Sequence, residues 1–102
     1  MKFTSQIEDQ TGTVKLDGRF TFETHPAFKS CVQSLLDHPR VRRLVLDMED
    51  VSYMDASSLG MVLLLRENAE NRNLPLVLRR PSTAVRKLLE IVQFEKIFEI
   101  LP

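Results

Sequence analysis

The stretch that decides the fold of this 102-residue chain is Val51-Ser-Tyr-Met-Asp-Ala-Ser-Ser-Leu-Gly-Met-Val-Leu-Leu-Leu65. Its polar centre, residues 55–58, separates a run typical of a β-strand from a strongly apolar run. Asp and Ser side chains accept hydrogen bonds from the first N–H groups of a helix, which have no partner within the helix. The stretch therefore predicts a helix that begins here, with Asp55 as its N-cap and a mostly buried body at residues 59–69.

Upstream of this stretch, the pattern predicts a β-hairpin, a helix and a strand. Residues 2–8 and 13–17 alternate polar and apolar side chains, with a turn at 9–12 and an end at Gly18. A helical apolar stripe follows, with Thr24 as the candidate N-cap. It consists of Phe28, Cys31, Val32, Leu35 and Leu36. The continuous apolar run at 43–48 predicts a strand covered on both faces.

Downstream, residues 76–79 predict another strand, Ser82 begins a third helix, and residues 94–101 form a short helix or a last strand. The order is therefore β-β-α-β-α-β-α plus a tail element. We expect one α/β domain over residues 1–102, with helices packed on a mixed sheet of four to five strands. Functional groups in such sheets gather where strands hand over to helices, as at residues 55–60.

The composition argues against nucleic-acid binding, disulfide bonding and membrane insertion. Lys plus Arg equals Asp plus Glu at 14 each, so the basic excess of a typical nucleic-acid binder is absent and no nucleic-acid partner is expected. The single cysteine, Cys31, cannot form an intramolecular disulfide, and we expect a small buried side chain there. No signal peptide is visible, and the longest apolar run, residues 61–65, is too short to span a bilayer. We expect a cytoplasmic protein without direct membrane insertion.

An enzymatic function is not expected. The only histidines, His25 and His38, each adjoin a proline at a helix end, and both are predicted to be surface residues. The chain has no Gly-x-Ser-x-Gly nucleophile motif, no glycine-rich phosphate loop and no His/Cys metal spacing. We therefore predict no catalytic residue, no metal and no cofactor.

The serines of the central stretch suggest a different chemistry. If Asp55 is the N-cap, Ser57 lies one or two residues inside the helix. A phosphate there would meet free N–H groups and the positive end of the helix dipole. It would change the charge by about −1.5 to −2, which can weaken a protein interface without refolding the domain. The alternative is that Ser57 and Ser58 are ordinary helix-start residues, and spacing alone leaves both open.

The same residues resemble the signature of the STAS domain family. That signature is a hydrophobic pair, then Asp-Ser-Ser-Gly-Leu-Gly, then aliphatic residues, and Val51–Leu64 is similar to it. Leu16-Asp-Gly-Arg-Phe20 resembles the family's second strand with its Gly turn, and Arg43-Leu-Val-Leu-Asp-Met48 resembles its central strand. Stand-alone STAS domains of this size resemble bacterial anti-sigma factor antagonists.

The resemblance implies a partner-switching phosphoprotein that regulates transcription in a signal-transduction pathway. In that family the unphosphorylated form binds an anti-sigma factor, often itself the serine kinase, and so frees a sigma factor. A serine phosphatase then removes the phosphate from the modified form. The resemblance places the phosphoacceptor at Ser57, with Ser58 as the second candidate. The partner-binding residues that it implies are Asp55, Ala56, Ser57, Ser58, Leu59, Gly60, Gly18 and Thr21.

Three positions depart from the family pattern. Ala56 replaces the first signature serine, Ser58 replaces the signature glycine, and Thr21 stands where the family often has an acidic residue. One alternative is a STAS subunit that docks on a transporter, its ATPase or another regulatory complex without phosphorylation. Retention of Ser57 argues against it. Nucleotide binding at the helix start is a third hypothesis, which ranks last because the sequence offers no pocket for a base.

Overall fold

The computed structural model describes residues 1–102 and contains five strands and three helices. In chain order these are β1 (Lys2–Glu8), β2 (Thr11–Phe20), α1 (His25–Leu36), β3 (Arg43–Met54), α2 (Ala56–Asn71), β4 (Leu76–Arg79), α3 (Thr83–Ile91) and β5 (Glu99–Leu101). Short 3-10 turns occupy Phe22–Thr24 and Phe94–Lys96. The order confirms the predicted α/β class, and the tail contains both a short helix and a last strand.

The sheet runs in sequence order, β1-β2-β3-β4-β5. β1 is antiparallel to β2, and the other neighbours are parallel. Each parallel pair is joined by a crossover helix, and right-handed crossovers that always advance in one direction place all three helices on one face. Alternate strand residues then point into a single core between sheet and helices. None of the helices is both long and apolar enough to cross a membrane.

The core fixes the position of α2. Its inner face buries Leu59, Val62, Leu65 and Ala69 against the sheet. Full burial of one such aliphatic side chain contributes about 1.5–3 kcal/mol, so this face sets both the axis and the rotation of the helix. Everything displayed at the start of α2 is therefore held by the packing behind it.

Two local predictions were wrong. β2 does not end at Gly18 but continues to Phe20. Gly18 adopts φ +110° at a point where the register with β3 shifts, and this irregularity lets the strand continue. The hairpin turns at Asp9, which has φ +57°, and not at Gly12. Gly12 lies buried in β2, where an added Cβ would come within 3.3 Å of Leu35 and Val41, so it permits close packing there.

The prediction that the β3 run is covered on both faces was confirmed, although the core shared with the helices lies on only one of them. Leu44, Leu46 and Met48 join the core that the helices share, but Val45 and Asp47 alternate with them and lie outside it. They are still only 3% exposed. Neighbouring strands supply the cover: Arg79 on β4 contacts the Asp47 carboxylate at 3.0 Å. A continuous apolar run therefore indicated burial correctly but could not show that only one face carries helices.

Candidate functional site

The candidate site is the start of α2, at the edge where β2 and β3 end. The backbone N–H of Asp55 donates to the carbonyl of Phe20, the last residue of β2, at 3.1 Å. Asp55 has extended φ and ψ angles of −88° and 169°, as an N-cap requires, and its Oδ1 accepts from the Ser58 N–H at 2.8 Å. Its Oδ2 accepts from the Phe22 N–H at 3.0 Å. One carboxylate thus ties the α2 start to the loop after β2.

The same hydrogen bonds set the charge of Asp55. Partial burial on its own would raise the pKa of Asp55. Hydrogen bonds from the Ser58 and Ser57 hydroxyls and from the Ser58 and Phe22 N–H groups outweigh it and lower that pKa from 3.8 to about 2. The carboxylate is therefore ionised at neutral pH and acts as a fixed acceptor, not as a proton shuttle.

Ser58 is a structural residue in this arrangement. It is completely buried, and its Oγ lies 2.8 Å from the Phe20 carbonyl, 2.8 Å from Asp55 Oδ1 and 3.0 Å from His25 Nε2. A hydroxyl has one proton, so it donates to one of the two oxygens while it can accept from the imidazole. The Ser58 hydroxyl thereby joins the end of β2, the first residue of α1 and the N-cap of α2.

The contact with Ser58 corrects the prediction for His25. The side chain is half-buried, not a free surface residue, and its ring also lies edge-on to Phe20, with centroids 5.9 Å apart. The proline that follows was a correct signal for a helix start, but it could not show that this start packs against α2. His38, also half-buried, accepts from the Arg40 N–H through Nδ1.

Ser57 has the opposite environment to Ser58. Its side chain is exposed, and its only hydrogen bond from Oγ donates to Asp55 Oδ1 at 2.8 Å. One turn further along the same side of the helix lies Gly60, where an added Cβ would meet no atom within 4 Å. The fold itself therefore does not require glycine at this helix-interior position.

The outer side of α2 continues as an apolar surface. Leu63 and Leu64 are 40% and 41% exposed, so the prediction of a mostly buried helix was wrong for this side. A 3.6-residue period places Leu64 in line with Ser57 and Gly60, at i, i+3 and i+7. The continuous apolar run in the sequence concealed this division because both sides of α2 carry leucines.

Aromatic residues complete the rim of the site. Phe22, whose N–H binds Asp55, is 66% exposed, and Tyr53 at the end of β3 is 43% exposed. The guanidinium of Arg19 lies 4.4 Å from the centre of the Tyr53 ring. Exposed aromatic and arginine side chains are enriched in protein interfaces. Sequence reasoning missed all three, although the alternation along the strand ends was a signal that some of them point outwards.

The structure brings only part of the predicted partner-binding set to the surface. Ala56, Ser57 and Gly60 are exposed and adjacent, whereas Ser58 and Leu59 have buried side chains and can only position them. Thr21 lies beside the site, where its carbonyl accepts from the N–H and the hydroxyl of Thr24. The Thr24 hydroxyl therefore does not cap α1. Gly18, in β2, is part-buried. Partner contacts of these residues stay a prediction.

Other features of the surface do not converge on this site. A polar cleft lies at the opposite edge of the sheet, where the parallel strands begin, and is lined by Asp9, Gln10, Thr11, Pro39, Arg40 and Arg42. No three His, Cys, Asp or Glu side chains lie close enough together to hold a metal ion. Cys31 packs against the core, and burial raises the pKa of its thiol.

Fold and site together define a class of protein: a small α/β domain that presents a capped helix start, with an exposed serine and apolar neighbours, at one edge of its sheet. The family model described as "Mlab, STAS domain" matches residues 3–102. The chain therefore belongs to the STAS domain family. It is 39% identical over 93 residues to a STAS-domain containing protein of Pseudomonas aeruginosa, an alignment that covers 91% of this chain and 90% of that protein.

Solved structures confirm the fold. A Thermotoga maritima protein assigned as an anti-sigma factor antagonist superposes with a TM-score of 0.88 at 21% identity, over 98% of this chain and 86% of that one. The unphosphorylated anti-sigma factor antagonist SpoIIAA gives 0.81 at 20% identity, over 97% and 87%. An antagonist from Mycobacterium paratuberculosis gives 0.83 at 19% identity, over 99% and 85%. At these identities the likeness concerns the fold.

Proposed function

We propose that this chain is a non-enzymatic docking switch, whose binding surface is the start and outer side of α2. In its unphosphorylated form it binds an anti-sigma factor that is also a serine kinase, and so frees a sigma factor. Phosphorylation of Ser57 weakens the docking, and a serine phosphatase restores it. The observation that carries the proposal is the contrast between two neighbouring serines, one exposed within an apolar surface and one buried.

Accessibility favours Ser57 as the acceptor. A kinase must bring the γ-phosphate of its nucleotide in line with the hydroxyl oxygen, which needs free space around that oxygen. Ser57 Oγ faces solvent and has a single hydrogen bond, to Asp55. Ser58 Oγ is enclosed by three partners and has no exposed surface, so its modification would require α2 to separate from the sheet.

The surroundings of Ser57 explain how a phosphate would act. Asp55 is already anionic, so the phosphate would place a second negative group within a few ångströms of the first. Gly60, Leu64 and Phe22 around it are neutral, and a partner that covers them would have to desolvate the new charge. The free N–H groups of the first helical turn stabilise an anion, so the domain itself stays folded.

The comparisons support this proposal at the level of the fold. Several structural neighbours are named anti-sigma factor antagonists, and SpoIIAA is among them in both unphosphorylated and phosphorylated forms, with TM-scores of 0.81 and 0.75. A domain of this fold therefore accommodates both states in at least one protein.

The test uses the Ser57→Ala form as bait in a pull-down from extracts of the source cell, followed by affinity measurements on the partner obtained. We expect Ser57→Asp to bind at least tenfold more weakly than Ser57→Ala. Thr83→Asp is the matched control, since Thr83 is also an exposed hydroxyl residue in the first turn of a helix. Equal affinity of the Asp and Ala forms at position 57 would contradict the switch. Phosphopeptide mass spectrometry after kinase treatment separates Ser57 from Ser58.

A second candidate function is stable docking on a transporter or its ATPase, without phosphorylation. The exposed leucines of α2, Leu63 and Leu64, favour it because an apolar surface suits a permanent partner. Co-purification with an ATPase subunit, and a phosphate-free Ser57 in protein isolated from the cell, would support this candidate over the switch.

A further inference from the structure

The two edges of the sheet differ in how they are protected. β5 has only three residues, and a short edge strand offers little backbone for pairing. β1 has seven residues, pairs with β2 without any register shift, and contains no proline. Between Lys2 and Glu8 it carries no charged residue. β1 thus lacks the usual devices that keep an edge strand from pairing with another chain.

The sequence of β1 is complementary to itself when reversed. If two copies pair antiparallel about Ser5, Lys2 faces Glu8 of the second copy at both ends of the ladder. Phe3 faces Ile7 in the same way, and Thr4 faces Gln6. Residues directly opposite in an antiparallel pair lie on the same face, where opposite charges and apolar pairs are favourable.

The faces of β1 agree with this register. Phe3 and Ile7 lie on the side of the helices, where both pack against the core and the Phe3 ring is 6.1 Å from that of Phe28. Lys2, Thr4, Gln6 and Glu8 alternate with them on the open face and are exposed. The Gln6 amide already donates to the Glu8 carboxylate at 3.1 Å, which holds that charge beside the strand.

We propose that the β1 edge is a pairing surface for a second copy of this chain, with the two strands antiparallel and centred on Ser5. The two five-stranded sheets then join into one of ten strands. Register is specified by the side chains. A shift of one residue would place Phe3 opposite Glu8 and put the helices of the two copies on opposite faces of the joined sheet, and a shift of two would separate both the charged and the apolar pairs. The proposal goes beyond the docking switch and does not depend on it.

Pairing of this kind leaves the α2 start free. The α2 start adjoins the end of β2, and β1 runs antiparallel to β2. In the paired molecule the two β2 strands therefore run in opposite directions. The carboxyl ends of the parallel strands, and with them the two Ser57 sites, point to opposite sides of the joined sheet. Self-association and partner docking are thus separable properties of the same molecule.

The test is sedimentation equilibrium of the full chain from about 1 μM to about 1 mM, a range that covers weak strand-pairing affinities. We expect a monomer–dimer equilibrium, which Lys2→Glu and Glu8→Lys each weaken at least tenfold because like charges then face each other twice. The double variant Lys2→Glu/Glu8→Lys restores the opposite-charge pairs, so it should return the dissociation constant to within about threefold of wild type. Lys96→Glu, on the exposed turn before β5, is the charge-matched control.

Two results would overturn the proposal. One is a wild-type chain that stays monomeric up to 1 mM. The other is a dimer that neither single charge reversal weakens, or that the double variant fails to restore, since such a dimer would use another surface. Circular dichroism of each variant checks that it is folded. If a single variant unfolds, oxidation of Thr4→Cys/Gln6→Cys in a Cys31→Ser background decides the matter: disulfide-linked dimers support the register, and their absence overturns it.

Discussion

The two adjacent serines of α2 differ enough in environment that one substitution should separate them. Aspartate at position 57 places a charge in solvent in the first turn of a helix. Aspartate at position 58 places a charge in a site with no exposed surface, next to the ionised Asp55. The comparison uses the same residue type at neighbouring positions, so differences in the unfolded state are small.

The magnitudes differ by several kcal/mol. Ser57→Asp also places its charge near Asp55, but that repulsion is screened by solvent and offset by the helix dipole. The free energy of unfolding should therefore change by no more than about 0.5 kcal/mol. Ser58→Asp should cost about 3–5 kcal/mol, which is typical of an unpaired buried charge. A total stability of about 5–15 kcal/mol is usual for a domain, so the second variant is severely destabilised or unfolded.

A milder variant keeps the test quantitative. Ser58→Ala removes the hydroxyl, but the Phe20 carbonyl retains the Asp55 N–H as a partner and half-buried His25 can reach water. The loss is therefore close to one buried hydrogen bond, about 0.5–1.5 kcal/mol. Alanine's higher helix propensity offsets a few tenths of that, so we expect about 1 kcal/mol, against about zero for Ser57→Ala.

The assay is urea unfolding followed by circular dichroism, with the midpoint and the slope fitted separately for each variant. The expected order of stability is Ser57→Ala and Ser57→Asp close to wild type, then Ser58→Ala, then Ser58→Asp. An unchanged slope is needed for the midpoints to report stability. If Ser58→Asp unfolded at the same urea concentration as Ser57→Asp, the assignment of Ser58 to the interior would be wrong.

Three further predictions concern other residues of the site and the sheet. Gly60→Ala should raise the free energy of unfolding by about 0.5–1 kcal/mol while it weakens partner binding, since the new methyl group fills open space on the docking surface; lower stability would refute this. The pKa of Asp55 is lowered to about 2, so its stabilising effect is complete above about pH 4 and is lost as pH falls towards 2. Unfolding measured across that range should therefore depend less on pH in Asp55→Asn than in wild type, and parallel curves would contradict it. Asp47→Ala should cost about 1–3 kcal/mol in urea unfolding, because Arg79 loses its buried acceptor but stays partly solvated; a loss below 0.5 kcal/mol would count against this.

Much of the fold could be predicted because its signals are local. Asp55 as a cap, the helical stripe of α1 and the alternation in β1 each depend on residues a few positions apart, and all three are present in the structure. The exact end of β2 could not be predicted, because it depends on how Gly18 at φ +110° fits against β3, which is distant in sequence.

The site was less predictable than the fold for the same reason. The pattern identified the serines but could not say which is buried, since that depends on the rotation of α2 against the sheet. It also missed the contact of His25 with Ser58, whose positions are 33 residues apart. The sequence predicts that the exposed leucines of α2 lie in the core, because a helix with apolar residues on all sides gives no sign of which side faces solvent.

The arrangement assigns separate tasks to neighbouring groups. Asp55 and Ser58 fix the geometry of the helix start, and Ser57 with Gly60 and Leu64 forms the surface that a partner would meet. A charge added at Ser57 would then alter the surface without altering the frame that holds it. In the proposed switch, this separation would allow a small domain to release a partner without a change of fold.

The most direct test of the proposed switch is the affinity of one partner for the wild-type chain before and after phosphorylation at Ser57. Isothermal titration calorimetry, with the site of the phosphate established by mass spectrometry, gives both dissociation constants. We predict that phosphorylation weakens binding at least tenfold, which corresponds to about 1.4 kcal/mol or more. Equal dissociation constants for the two forms would contradict the switch and would leave phosphorylation-independent docking as the function of this surface.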